Sequence, residues 1–192
     1  MKRIAILASG NGTNAENIIQ YFQKSSFVKV SKVLSNKSGA GVLARVAKYG
    51  IPSECFNKED FYGSDIVLEN LKIHADYVIL AGFLWKIPSN IIHAFHQKIL
   101  NIHPSLLPKY GGRGMYGAHV HRSVLANKES TSGITIHFVN EEYDKGAILF
   151  QQSVKIQETD NEHDLASKIH ELEYFHYPRV IEQLVTKDLK KP

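Results

Sequence analysis

Cysteine is nearly absent: Cys55 is the one thiol in 192 residues. A lone thiol cannot close an internal disulfide, and it suits a reducing compartment, so a cytoplasmic location is expected. No apolar run approaches the roughly 18 residues that a membrane-spanning helix needs, so no membrane partner is expected. The opening MKRIAILASGNG begins like a secretory leader, but its apolar stretch runs only from Ile4 to Ala8. It then meets Gly-Asn-Gly rather than a cleavage site. There is no internal repeat, no low-complexity segment and no linker, which leaves residues 1–192 as a single expected domain. Basic residues are scattered, and the only run, at 187–191, is expected to be a solvated end rather than a nucleic-acid patch.

What is present is an ordinary globular mixture, with 43% hydrophobic and 22% charged residues and a formal net charge of +4 that suits a small anionic partner. Residues 3–8 form an apolar strand, and Ala15, Ile18, Ile19 and Phe22 then recur with the period of an amphipathic helix. A strand over 27–35 is followed by a helix over 40–50, stopped by Gly50 in the position just past its C-cap. A helix capped by Ser64 precedes a buried strand over 76–82. A short helix after Ser89 precedes another strand over 98–102. This alternation predicts an α/β fold: a Rossmann-like, mostly parallel sheet flanked by helices. Strands over 132–139 and 147–156 are joined by a short acidic and glycine-containing turn, which predicts an antiparallel hairpin in the C-terminal half. Thr159 and Glu162 form a capping box for a last helix carrying Leu165, Ile169 and Leu172, which Pro178 should end or kink.

Gly10 and Gly12 lie between the first strand and first helix, with Ser9, Asn11, Thr13 and Asn14 as potential donors. Such a loop lets backbone N–H groups approach a phosphate, although a tight strand-to-helix turn needs glycine for its own sake. Gly10, Gly12 and Ala15 also satisfy the spacing of a dinucleotide fingerprint. An NAD enzyme would then carry an acid near the end of the second strand, where this chain has Asn36 and Lys37. An NADP-binding oxidoreductase stays open.

Asn101 and His103 are two residues apart where a strand meets Pro104, so they share a face, with Ile102 on the other. Ligands of parallel sheets bind beyond the carboxyl ends of the strands, and an amide with an imidazolium there can stabilise charge developing on a carbonyl oxygen. A histidine satisfied by its local backbone, with Asn101 capping a turn, is the plainer alternative. His119 and His121 face different sides of a helix over 118–127, and no third ligand follows at helical spacing, so no metal is expected. His137 either lines the cleft or covers the sheet. Tyr174, Phe175 and Tyr177 are expected in the core.

The string NIHPSLLPKY, together with SGNGTN and the AGF at 81–83, resembles the phosphoribosylglycinamide formyltransferase family over nearly the whole chain. The resemblance implies transfer of a formyl group from 10-formyltetrahydrofolate, as co-substrate, to the amine of 5'-phosphoribosylglycinamide in purine biosynthesis. The implied route is direct attack through a tetrahedral intermediate stabilised by His103 and Asn101. Asp144 would favour the charged imidazole and receive the amine's proton. The resemblance also implies that Gly10, Asn11, Gly12, Thr13 and Asn14 hold the ribonucleotide phosphate and that Glu173 reaches its ribose. Leu84, Trp85, Lys86 and Ile87, with Asn101, would line the folate site. The implied partners are these small molecules, with the chain as monomer or homodimer. Two departures stand out. An arginine common in the family near 58–64 is missing, with Lys58 as a stand-in. The loop after Tyr110 is longer and glycine-rich, carries Arg113 as a candidate anion ligand, and is expected to be mobile without ligand. A related formyl transferase with another acceptor, such as initiator methionyl-tRNA, or a formyltetrahydrofolate hydrolase are the alternatives within that chemistry. A non-catalytic nucleotide-binding module is the alternative outside it.

Overall fold

The first strand explains the architecture in miniature. In β1 (Lys2–Ala8), Ile4, Ile6 and Ala8 join one hydrophobic cluster while Ala5 and Leu7 join another, and all five are fully buried. A strand buried on both faces reads as an unbroken apolar run because both faces carry helices. The computed structural model describes residues 1–189. After β1 the chain continues through α1 (Thr13–Phe22), β2 (Val28–Ser35), α2 (Gly41–Ala47), β3 (Ser53–Cys55), α3 (Ile66–His74), β4 (Tyr77–Leu80), α4 (Ser89–Ala94) and β5 (Ile99–His103). It closes with α5 (Ala118–Ala126), β6 (Thr131–Phe138), β7 (Ile148–Lys155) and α6 (Glu162–Leu189).

The strands form one seven-stranded sheet in the order β3-β2-β1-β4-β5-β6-β7. Pairing is parallel from β3 to β5 and antiparallel from β5 through β7, as the alternation of elements and the acidic hairpin turn predicted. The chain winds outward from β1 to β3 and then returns to β4 on the other side of β1. Strand order therefore reverses between β1 and β4, and the loops leaving their carboxyl ends part to form a crevice.

Several local expectations need correction. The capping box of α6 is Asn161 with Asp164 rather than Thr159 with Glu162. Asn161 Oδ1 accepts from the N–H groups of His163 and Asp164, and Asp164 Oδ2 accepts from the Asn161 N–H in return. Pro178 does not end the helix. It lacks the N–H that would reach the Tyr174 carbonyl one turn back, and Asn17 Nδ2 donates to that carbonyl at 2.9 Å instead. The position before α3 belongs to Asp65, with Ser64 one residue outside. Helix α2 stops at Ala47, so Gly50 (φ 66°) sits two residues past the C-cap Lys48, its N–H on the Ala47 carbonyl.

Strand β3 and a single helical turn at Glu59–Gly63 add to the expected elements, both too short to show a period in the sequence. Tyr177 is in the core, its hydroxyl shared between the carbonyls of Leu80 and Leu100 at 3.0 and 3.2 Å. Phe175 is exposed, with the Arg179 guanidinium 3.8 Å from its ring centre, and Tyr174 faces the crevice rather than the core. Residues 190 and 191 of the basic run at 187–191 lie outside the described residues.

Candidate active site

A cavity of about 820 Å³ opens at the crevice, and residues 10–14 and 84–87 lie on its wall together with Asn101, His103, Asp144 and Glu173. The glycine loop forms one end. At Gly12 (φ 78°) an added Cβ would stand 2.4 Å from Val42 Cγ2, so glycine is required both for the backbone turn and for the approach of α2. At Gly10 an added Cβ would meet nothing within 4 Å, which leaves that backbone open on the cavity side. The first N–H groups of α1, at Thr13 and Asn14, have no carbonyl one turn back and point out of the helix start, as an anion site requires. Arg45 fixes the loop from behind by donating to the Asn11 carbonyl at 2.9 Å while pairing with Glu16.

Asn14 also donates through Nδ2 to Glu173 Oε2 at 2.8 Å, tying α1 to α6 across the cavity. Glu173 is only 6% exposed, and burial pushes its carboxyl up to about 7, with the Asn14 hydrogen bond pulling weakly the other way.

The loop after β4 forms the facing wall. Two contacts sew it to the loop after β1: the Ser9 N–H reaches the Gly82 carbonyl at 3.1 Å, and the Leu84 N–H reaches Ser9 Oγ at 3.0 Å. Ser9 is thus a positioning residue that the sequence offered only as a possible phosphate donor. Trp85 is half-buried among the rings of Phe56, Phe61 and Phe83, and Ile87 is buried, while Leu84 and Lys86 are exposed. Tyr62, on the unrecognised helical turn, donates to the Lys86 carbonyl at 2.9 Å and props this wall.

Between these ends stand Asn101, His103, His137 and Asp144. Asn101 and His103 share a face of β5 as the period of two required, with Ile102 packed into the opposite core. Antiparallel pairing sets His137 of β6 directly across from Asn101, and Asn101 Nδ2 donates to His137 Nε2 at 3.1 Å. The neighbouring hydrogen bonds decide both tautomers. His103 Nε2 lies 2.7 Å from the Tyr110 carbonyl and His137 Nδ1 lies 2.9 Å from the Phe138 carbonyl. A carbonyl can only accept, so each of those nitrogens carries the proton. The opposite nitrogens, His103 Nδ1 and His137 Nε2, each stand 3.6 Å from an oxygen of Asp144.

Asp144 holds φ 57°, a left-handed conformation stored at the tip of the site, and its Oδ2 accepts the Gly112 N–H at 2.8 Å. Gly111 makes room for it, since a Cβ there would stand 3.3 Å from Asp144 Cβ and 2.4 Å from Leu107 Cδ2. Burial alone would raise the Asp144 carboxyl. The neighbouring His137, the charge of His103 when protonated and the Gly112 N–H outweigh it and hold Asp144 below the usual carboxylate range. His103 departs from expectation. Its burial, at 4% exposure, outweighs the pull of Asp144 and the Tyr110 carbonyl and holds its pKa below the usual value. The resting ring is therefore neutral at neutral pH, not the imidazolium that a nearby carboxylate alone would imply.

The other nominated residues divide. Arg113 lies on the cavity wall in the glycine-rich loop, whereas Lys58 is exposed and away from the cavity. His119 is exposed against Tyr116 and His121 is buried on the cavity side, so the two do face apart. Among the described residues no group of three His, Cys, Asp or Glu side chains is placed to hold a metal ion. The sequence alone leaves His137 open between cleft and sheet cover. The signal that places it is parity, because a residue opposite Asn101 on an antiparallel neighbour must share its face.

The family model described as formyl transferase matches residues 2–181. Phosphoribosylglycinamide formyltransferase of Bacillus subtilis is 33% identical over 191 residues, covering 96% of this chain and 95% of that protein. The chloroplastic phosphoribosylglycinamide formyltransferase of Vigna unguiculata is 39% identical over 95% of this chain, which spans 61% of that longer relative. Among solved structures, phosphoribosylglycinamide formyltransferase from Bacillus halodurans superposes with a TM-score of 0.86 at 36% identity, covering 97% of each chain.

Proposed function

The chain belongs to the formyl transferase family, and from that premise we propose that it moves the formyl group of 10-formyltetrahydrofolate to the amine of 5'-phosphoribosylglycinamide, a step of purine biosynthesis. The observation that carries the proposal is the convergence of Asn101, His103 and Asp144 within one cavity that has a phosphate-type glycine loop at one end. That cavity joins an anion end to an apolar end lined by Leu84, Trp85, Ile87 and Val139, which suits two substrates of different character.

The proposed chemistry follows from what each side chain can donate or accept. The backbone at residues 10–14 binds the phosphate, and Glu173 takes a ribose hydroxyl. The folate supplies the formyl carbon, which the amine attacks. The tetrahedral intermediate then collapses by breaking the bond from that carbon to folate N10, which takes up the proton the amine gives up and leaves as tetrahydrofolate. Asn101 donates through its remaining amide N–H to the charge that develops on the formyl oxygen, and the positive charge of His103, once protonated, stabilises that charge. His103 reaches the charged form only as the proton arrives, and its Nδ1–H then points at Asp144, which stabilises the imidazolium. Asp144 is ionised across the neutral range, so it is available to draw the proton from the attacking amine, directly or through water.

Residues 1–192 are proposed as one formyltransferase domain. The N-terminal half supplies phosphate binding, and the C-terminal half completes the folate side and the catalytic loop. The site is assembled from one chain, so a monomer suffices and a homodimer would carry two separate sites. No helix among the described residues is long and apolar enough to cross a membrane. The cytoplasm is the proposed location, where the free, exposed Cys55 would stay reduced.

A spectrophotometric assay with glycinamide ribonucleotide and a 10-formyl folate tests the proposal. Turnover is expected, and His103→Ala should lose most of it while still binding the ribonucleotide. Absence of turnover by the folded protein would overturn the function, and near-normal turnover by the variant would overturn the role of His103.

A further inference from the structure

His121 is 4% exposed and stands on the cavity wall, yet neither of its ring nitrogens hydrogen-bonds to another described residue, and Nδ1 is shut off from solvent. A buried polar atom left unpaired is costly, and leucine would fill the same space without that cost. On α5, Val120 and Val124 enter the core, and His121 is the buried residue beside them that also lies on the cavity wall. Asn14 repeats the pattern: its Nδ2 is engaged by Glu173, and its Oδ1 is buried with no partner. Two unsatisfied polar groups thus belong to the same cavity as Glu173.

Position narrows what could satisfy them. His121 senses His103 on the side of the reacting centre and His170 and Glu162 on α6. His170 precedes Glu173 by three residues, so both lie on one face of that helix. The glycine loop holds the phosphate end and His103 marks the reacting end. What lies between the two in any ribonucleotide is the sugar. We propose, building on the formyl-transfer reading, that His121 is a sugar-binding residue whose imidazole takes a hydroxyl of the phosphoribosyl group, with Asn14 Oδ1 accepting from the same sugar. A hydroxyl both donates and accepts, so it matches a neutral imidazole in either tautomer and the Asn14 carbonyl as well. Burial favours that neutral ring by holding the His121 pKa below its usual value.

The test compares His121→Leu, which keeps the bulk, with His121→Asn, whose amide places a polar atom near the site of Nδ1. Binding of ribose 5-phosphate and of glycinamide ribonucleotide is measured by calorimetry, and the KM for the folate by turnover. Loss of one neutral hydrogen bond predicts a roughly 3- to 10-fold weaker Kd for both phosphoribosyl compounds in the leucine variant. The asparagine variant should recover most of that loss, and the folate KM should not move. Wild-type affinity in the leucine variant would overturn the inference. So would equal losses in both variants together with a raised folate KM, the pattern of a packing residue. If the leucine variant does not fold, the ring nitrogen resonances of His121 in the wild-type protein decide instead: they should shift when ribose 5-phosphate is added, and unmoved resonances overturn the inference. Wild-type protein that binds ribose 5-phosphate without turning over glycinamide ribonucleotide would remove the proposed function and leave this test intact.

Discussion

Replacing Glu173 by glutamine should uncouple folding from pH. Glu173 is buried on α6 with one hydrogen-bond partner, and its carboxyl is pushed from 4.5 up to about 7. Between those values the folded state keeps a proton that the unfolded chain has released. Stability therefore falls as pH rises through that window. The span corresponds to about 3 kcal/mol of folding free energy present below pH 4.5 and lost above pH 7. Glutamine has no proton to lose and its Oε1 can still accept from Asn14 Nδ2, so the variant should not follow that slope. Urea denaturation of both proteins from about pH 4 to about pH 8 reads the difference directly, because all other titrations are shared. The variant's advantage over wild type should grow by about 3 kcal/mol across that range, or about 6–12 °C in Tm for a chain of this size. A difference that stays flat with pH would refute the placement of Glu173 as a desolvated acid.

Two further perturbations separate structure from chemistry. Gly12→Ala should cost about 2–4 kcal/mol through collision with Val42 and a left-handed backbone. Gly10→Ala should leave stability within about 1 kcal/mol and weaken only ribonucleotide binding, and urea melts with calorimetry check both. Asp144→Asn should move the His103 titration still lower, since the carboxylate is what pulls it up against burial. Asparagine tolerates the same left-handed backbone, so ring resonances followed against pH in an otherwise unchanged spectrum provide the readout.

Much of this was visible in the sequence because it rests on short-range periodicity. The two-residue period placed Asn101 and His103 on one face, and the β1 run declared a strand buried on both sides. The glycine loop could be located but not explained: that Gly12 is pressed on by Val42 is a contact thirty residues distant. Charge states lay further out of reach. Counting a carboxylate beside a histidine predicted an imidazolium, whereas burial of His103 decides the sign, and burial depends on the whole fold. Asn161 displaced Thr159 at the start of α6 because two equally good capping patterns overlap there. Tyr62 and Ser9 were missed as supports since their partners, the Lys86 carbonyl and the Leu84 N–H, are backbone atoms with no sequence signature.

The claim that the cavity transfers a formyl group to a ribonucleotide amine is tested most directly by following the fate of an isotopically labelled formyl group. Purified protein is incubated with the labelled 10-formyl folate and glycinamide ribonucleotide, and the products are separated by mass spectrometry. The account predicts label on the glycinamide nitrogen, with none when His103 and Asp144 are both replaced. Label recovered only as formate, at a rate indifferent to the ribonucleotide, would contradict it and make the protein a hydrolase.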